Sequence, residues 1–416
     1  MSPVPSRADV VVVGGGPAGA SVAARLAADG REVVVIEKKR YPREKTCGDG
    51  LTPRSVKALL DLGMAEEVAR WHPVRGLRAY AGGRCLELDW PDHPVFPRTG
   101  AVVTRAELDM AIADRARKAG AVFVEETEAT GADLADGIVR GVEVKPKGAP
   151  ATTVAAAFVV IADGSLSRFG RSLGNARDRR FPLGMAIRGY FDSPRDDDDY
   201  IESHIDIRDV HGRSLPGYGW VFPEGDGTVN VGIGLLSTFR DWKGVNTSEL
   251  MDAFTHVVPR YWAIDPDAGR SIRGGKLQMG MSVRPRVGPN WLTVGDAGGV
   301  INPFNGEGIA YALETAELAA QVLGDALVRG DGRVLWQYAC ELDRRYAAYY
   351  RTARGFVRLI GEPRVMRLAA QVGMRSHLIM AAVLRVMANL LSPELRDPEE
   401  RVYSLLERVV AIGPEP

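Results

Sequence analysis

The sequence predicts a mixed α/β chain (α+β overall): a parallel-sheet nucleotide domain, interrupted by an antiparallel-sheet domain and followed by helices. Three observations carry this. A strand–glycine turn–helix–strand pattern opens the chain at Asp9–Glu37. From Gly184 to Leu236 strand-like segments follow one another with few helices between. From Val334 to Val410 the pattern is mostly helical. The length of 416 residues suits two or three domains with a large core.

The elements follow in order. Asp9–Val13 is a buried strand, Gly14–Gly19 a turn, and Ala20–Asp29 a helix closed by Gly30. Val33–Ile36 is the second strand of a βαβ unit. A helix follows at Thr52–Leu62 with Pro53 in its first turn, and a hairpin at Arg78–Trp90 around Gly82-Gly83. Thr104 starts a helix through Ala119 with Glu107 in capping-box position. Val122–Glu125 and Phe158–Ile161 are strands. So are the segments starting at Gly184, His204–Ile207, Gly217–Phe222 and Val229–Gly234. Asp196–Asp199 reads as a solvated acidic loop. Trp291–Val294 is a buried strand that leads into a helix through Leu323. The nucleotide domain is therefore discontinuous, over residues 1–75, 101–180 and 284–330. The sheet domain takes 76–100 and 181–283, and the helical region 331–416.

Composition excludes some functions. Lys+Arg and Asp+Glu are equal at 53 each, so no bulk positive field draws nucleic acid. Cys47, Cys85 and Cys340 are too few and too scattered for a disulfide frame or a zinc site, and fit a cytoplasmic setting. The six histidines lack metal spacing, so no metal is expected. No signal peptide is readable, and the apolar run Leu378–Leu384 is too short to span a bilayer.

The opening turn carries chemistry. In Gly14-x-Gly16-x-x-Gly19 the first glycine permits the tight turn, and the second lets backbone approach a pyrophosphate on the helix N-terminus. The third allows close helix–strand packing. Pro17 and Ala18 complete this Rossmann-like turn. Glu37, 21 residues after Gly16, suits ribose hydroxyls, with Lys38 beside it. The fingerprint alone does not choose between FAD and NAD.

Resemblance does. Ala162-Asp163-Gly164 is similar to the Asp-Gly motif of FAD hydroxylases, and Gly295-Asp296 to their Gly-Asp motif, whose Asp binds the ribityl chain. Asn302–Ile309, with Gly306, Gly308 and Ile309, resembles the flavin-embracing loop and helix start. Arg105-x-x-Leu108-Asp109 resembles the arginine site near the FAD ribose or pyrophosphate. Lys45–Pro53, with Cys47, Gly48, Asp49 and Gly50, resembles the Cys-Gly-Asp segment beside the flavin of geranylgeranyl reductases. Leu215–Pro223 followed by Val231-Gly-Ile-Gly234 resembles their Tyr-x-Trp-x-Phe-Pro…Gly-x-Gly motif. From Ala8 to Asn389 the chain thus resembles the geranylgeranyl reductase family of FAD-dependent oxidoreductases, especially its bacterial branch that includes menaquinone reductase.

The resemblance implies a hydroxylase-type FAD domain and saturation of an isolated C=C of a polyprenyl chain, a menaquinone tail or geranylgeranyl group. Hydride would come from N5 of reduced FAD, with a proton for the second carbon. Cys47, Tyr218 or an ordered water are candidate proton relays, and Pro216, Tyr218, Trp220 and Phe222 are substrate-binding candidates. From the residues alone, Tyr218, Trp220 and Phe222 share one strand face and fit either a core or a pocket wall. Cys47 fits either a small buried hydrophobe or a flavin-side group, whereas Cys85 and Cys340 read as structural.

A second nucleotide fingerprint is absent, so the electron donor is NAD(P)H bound transiently or a redox protein. An FAD-dependent monooxygenase of an aromatic or polyketide substrate is one alternative; a non-enzymatic prenyl-binding escort is another. No Trp-x-Trp-x-Ile-Pro halogenase motif is present. Pro363–Pro393 carries Arg364, Arg367, Arg375 and Arg385 among apolar residues and no acid. It fits either a helix lying on the inner face of the cell membrane or a packed helix pair.

Overall fold

A computed structural model describes residues 4–209, 211–239 and 241–391 and Tyr403. The expected helical stretch beyond 391 otherwise lies outside the described residues.

The first sheet has a parallel core ordered Val122–Val124, Val33–Ile36, Arg7–Val13, Thr152–Ile161 and Trp291–Thr293. Its central strand ends in the unbroken run Val10–Val13 because both faces are buried there. Val10 and Val12 pack with Ala20, Ala23 and Leu26 of the helix Pro17–Ala28, while Val11 and Val13 pack with Val139, Val142 and Val144.

Those last valines belong to an antiparallel meander absent from the sequence expectation. Thr127–Ala135 and Ile138–Pro146 pair with each other, and the second pairs with the first half of Thr152–Ile161. Their turn, Asp136-Gly137, has φ of +53° and +77°. Asp-Gly is a favoured two-residue hairpin turn, and it was the readable signal. The strands around it are too polar on their outer face to stand out by hydropathy.

The second sheet is ordered Arg270–Gln278, Leu183–Asp192, Thr228–Leu236, Gly217–Pro223, Tyr200–His204, Gly76–Ala81 and Arg84–Asp89. It is antiparallel except at one joint, where Tyr200–His204 runs parallel to Gly76–Ala81. The hairpin 76–89 is reached from the rest of the sheet only through a long excursion via the first sheet, and such a connection permits a parallel neighbour. The strand expected at His204–Ile207 ends instead at His204. The acidic run is not simply solvated: Asp198 is buried and pairs with Arg78 and Arg195. A buried carboxylate needs such partners.

One face of this sheet is covered by the helix Thr247–Thr255, with Leu250, Met251 and Phe254 against Val221, Val231 and Ile233. The other face fronts a cavity. The helices Pro363–Gly373 and His377–Met387 close that cavity, with Met374, Met380 and Leu384 packed on Ala79 and Leu88 of the hairpin. Among the described residues no helix is long and apolar enough to cross a membrane.

Candidate active site

A cavity of about 1070 Å³ runs between the two sheets. Gly14, Gly16, Pro17, Ala18, Glu37 and Lys38 line it at one end. Arg105, Asp163, Asp296, Gly306, Gly308 and Ile309, and then the loop Cys47–Gly50, line its middle. Tyr218, Trp220 and Phe222 lead to its apolar end.

The fingerprint glycines divide by what a side chain would meet. Gly14 has φ +101°, and a Cβ there would lie 2.4 Å from the Ala162 carbonyl oxygen. A Cβ on Gly19 would lie 2.0 Å from the Gly14 carbonyl oxygen. Gly16 meets only Arg43 Nη2 at 3.4 Å, so its backbone is open to a ligand. The helix starting at Pro17 has no side-chain N-cap, and neither does Ile309–Arg329. Thr52, Thr104 and Ser167 do cap the helices they precede. Uncapped amides at two cavity-facing helix starts suit the two electron-rich parts of FAD, its pyrophosphate and the N1–C2 edge of the flavin. The residues present therefore fit FAD.

Charges are arranged around that path. Glu37 accepts from the Gly15 and Lys39 amides, each at 2.9 Å, and Arg43 lies 3.6 Å from it. Arg105 grips Asp109 through two hydrogen bonds of 2.8 and 3.0 Å, and Arg43 reaches the same carboxylate at 3.2 Å. Burial works against the Arg105 charge, but Asp109 outweighs it and holds the guanidinium protonated. Arg43 was missed in the sequence because nothing in its spacing marks it. Asp296 lies 3.7 Å from Lys45 and accepts from Ser165. Asp163 spends one oxygen on the Phe169 amide, at the start of the helix Arg168–Ser172, and burial raises its pKa.

Three expected site residues are not at the cavity. Gly19 only packs the turn. Gly295 (φ +58°) donates its amide to Thr315 and lies where a Cβ would meet Ala18, so it serves helix packing. Pro216 is buried outside the lining, its carbonyl accepting from Leu236. Asp49 is also engaged unexpectedly: its carboxylate accepts from Tyr190 and Asn230 of the second sheet.

The aromatic row is a wall. Centroids of Tyr218, Trp220 and Phe222 are 5.8 and 6.2 Å apart along the strand. Opposite Trp220 stands Gly232, whose Cβ would lie 2.2 Å from the indole, so the Gly-x-Gly makes room for the ring. Phe222 covers Gly48 and Gly50, and Tyr218 donates to the Asn305 carbonyl at 2.5 Å. Cys47 accepts from the Asp49 amide at 3.3 Å. Burial, then the Asp49 charge, push its thiol up to about 11, so it is a neutral thiol at pH 7. Cys85 and Cys340, expected to be structural, are exposed.

Beyond the aromatic row the lining is nearly all apolar. Leu77, Ala79, Leu88, Ile201 and Ile205 come from the second sheet. Met366, Val372, Ile379, Met380, Leu384 and Met387 come from the last two described helices. Arg385, one of the four arginines read as surface charges, is buried and donates to the Leu390 carbonyl. Arg364, Arg367 and Arg375 are exposed.

Fold and site together define an FAD-dependent oxidoreductase. The profile described as FAD binding domain matches residues 7–194. The chain is 40% identical to menaquinone reductase of Mycolicibacterium smegmatis, across 96% of this chain and 95% of that protein. It is 30% identical to digeranylgeranylglycerophospholipid reductase 2 of Methanosphaera stadtmanae, across 82% and 85%. A geranylgeranyl bacteriochlorophyll reductase-like protein of Thermoplasma acidophilum superposes with a TM-score of 0.80 at 25% identity, over 97% of this chain and all of that one. The chain belongs to the geranylgeranyl reductase family.

Proposed function

We propose that this enzyme saturates an isolated carbon–carbon double bond of a polyprenyl chain, with the tail of menaquinone as the leading substrate. The observation that carries the reading is the apolar arm of the cavity. It continues from the Cys47–Gly50 loop past Trp220 to Met380 and Met387, with a hydrocarbon lining. A small aromatic substrate would leave that arm unused.

FAD, when bound and reduced, supplies a hydride. The protein's own residues do the rest. Gly16, Glu37, Arg43 and Asp296 would hold the cofactor. Tyr218, Trp220 and Phe222 present flat faces that align the chain, which places the alkene without any polar handle. The apolar arm excludes water. Cys47, as a neutral thiol, is in the right protonation state to hold a proton at Sγ beside the reacting carbons. Anaerobic incubation of the reduced enzyme with menaquinone tests the reading. The expected product gains two hydrogens in its tail. A product that appears only in air and gains one oxygen atom overturns it.

The route of the substrate follows from the same arm. Val372 and Ile379 line the cavity yet are 51% and 46% exposed, so its mouth lies between the last two described helices. Leu368 and Leu378 beside them are 63% and 71% exposed, and Arg364, Arg367 and Arg375 surround them. This pattern supports docking on an anionic membrane surface, each arginine contributing about 1 kcal/mol. Sedimentation with anionic liposomes should weaken with salt and with replacement of these three arginines by Gln. Wild type that ignores liposomes at low salt removes the docking step.

A further inference from the structure

Asn230 lies in the strand Thr228–Leu236 and is fully buried. A carboxamide inside a buried strand is unfavourable unless its hydrogen bonds are made. Here they are made, and all of them leave its own strand. Oδ1 accepts from the Trp220 indole at 2.9 Å. Nδ2 donates to the Cys47 carbonyl at 3.0 Å and to the Asp49 carboxylate at 2.8 Å.

Strand pairing explains the placement. Tyr190, Asn230 and Phe222 stand opposite one another on three adjacent strands, so they share one face of the sheet. That row meets the Cys47–Gly50 loop. The Tyr190 hydroxyl donates to Asp49. Phe222 lies so close that a Cβ on Gly50 would be 2.9 Å from its ring, and one on Gly48 3.1 Å. Asp49, between these glycines, stands at φ +65°, and its amide donates to Cys47 Sγ at 3.3 Å.

The thiol loop and the aromatic wall thus come from distant parts of the chain and meet at one side chain. Only one orientation of the Asn230 carboxamide serves all three partners. Turned over, its oxygen would face the Cys47 carbonyl and the Asp49 carboxylate, and its NH2 group would face the indole N–H. Loop and wall therefore cannot slip past each other without leaving buried polar groups unpaired.

We propose that Asn230 is a positioning residue for prenyl reduction, locking the Cys47–Gly50 loop to the aromatic wall so that thiol and alkene meet in one geometry. The inference rests on the reading of the enzyme as a prenyl reductase. An isoprene unit offers no polar handle, so the place of the alkene relative to Sγ depends on the spacing between wall and loop. A misplacement of about 1 Å between groups that must meet costs on the order of a hundredfold in rate. Asn230 does not itself line the cavity, so it acts through Cys47 and Trp220.

The test uses the full-length flavoprotein with Cys85 and Cys340 replaced by Ser, so that iodoacetamide reads Cys47 alone. Asn230→Thr nearly keeps the side-chain volume and removes the carboxamide. It should raise the Cys47 alkylation rate at least about tenfold, because a released loop exposes and solvates the thiol. In a single turnover of reduced enzyme it should saturate the alkene about 10- to 100-fold more slowly. FAD content and the half-saturating lipid concentration should stay near wild type. Trp220→Phe removes the indole donor and should also speed alkylation, and the double variant should match Asn230→Thr within about twofold, because both changes cut one link. Alkylation effects that multiply in the double variant overturn the link. Alkylation of Asn230→Thr within about twofold of wild type overturns the lock. Faster alkylation with a wild-type turnover rate overturns the positioning role. If Asn230→Thr fails to hold FAD, Trp220→Phe decides alone, and a wild-type alkylation rate in it overturns the lock. A wild type that reduces no prenyl chain overturns the functional reading and positioning with it, and the alkylation rates then decide the lock by themselves.

Discussion

The two ends of the cavity are built by different rules. At the fingerprint end the constraints are on the backbone. Gly14 cannot carry a side chain because of φ and the Ala162 carbonyl, and the helix at Pro17 leaves its amides uncapped. At the apolar end no single segment matters. Leu77, Ile201, Leu277, Met366 and Met387 meet there from five separate parts of the chain. The first end tolerates almost no substitution. The second depends on volume and shape, so it can be retuned while the cofactor stays in place.

The sharpest break in that comparison comes from Gly14→Ala against Gly16→Ala. The first introduces a strained φ and a backbone clash, a loss of roughly 3 kcal/mol. It should lower the melting temperature and abolish flavin retention. The second meets only a movable arginine at 3.4 Å. It should melt like wild type and hold FAD more weakly. Equal melting temperatures for all three proteins would show that Gly14 is not the structural member of the pair.

At the other end, Val372→Trp should plug the mouth. Overpacking a fitted site costs about 1–3 kcal/mol, so kcat/KM for a long prenyl chain should fall roughly 10- to 100-fold with FAD content unchanged. Unchanged kinetics would place the mouth elsewhere.

Between the ends, Cys47→Ser should keep FAD and lower prenyl reduction at least about tenfold, because an alcohol gives up a proton far less readily than a thiol. Cys85→Ser and Cys340→Ser, both at exposed positions, should behave as wild type. Equal activity in all three variants returns Cys47 to packing.

A smaller effect comes from Asp49. Burial raises the Asp49 pKa from 3.8 to about 6, against Tyr190, Arg188 and Asn230. The folded state therefore holds a proton that the unfolded chain releases between about pH 4 and pH 6. The stability it adds is complete below that window and is lost as pH rises through it. Asp49→Asn should flatten the fall in stability from pH 4 to pH 7 by on the order of 1–2 kcal/mol, read by urea unfolding at each pH.

What was legible in the sequence follows the same divide. The turn Gly14–Gly19, the strand Val33–Ile36 and the helices capped by Thr52 and Thr104 are local, and they stand where the spacing puts them. The capping box at Thr104 is half made: the Thr104 hydroxyl accepts from the Glu107 amide, but Glu107 itself takes the Trp71 indole. A tertiary partner won over a local one. The Asp136-Gly137 meander was missed because its signal is a turn between polar strands. The parallel joint at Tyr200–Gly76 and the Asp49–Asn230 hydrogen bond link residues far apart, and no local pattern reports them. Arg385 illustrates the limit of charge counting, since it looks like a surface arginine and is buried, donating to the Leu390 carbonyl beyond its helix.

The central claim is that reduced FAD in this cavity saturates a prenyl alkene, and a single-turnover experiment tests it directly. Reduced enzyme is mixed without oxygen with a geranylgeranyl lipid that lacks a quinone head, and separately with a quinone that lacks the tail. The account predicts that the prenyl lipid returns the oxidised flavin spectrum, with one double bond saturated per flavin, and that the tail-less quinone yields no such product. Flavin reoxidised only by the quinone head, with every prenyl double bond intact, would contradict it.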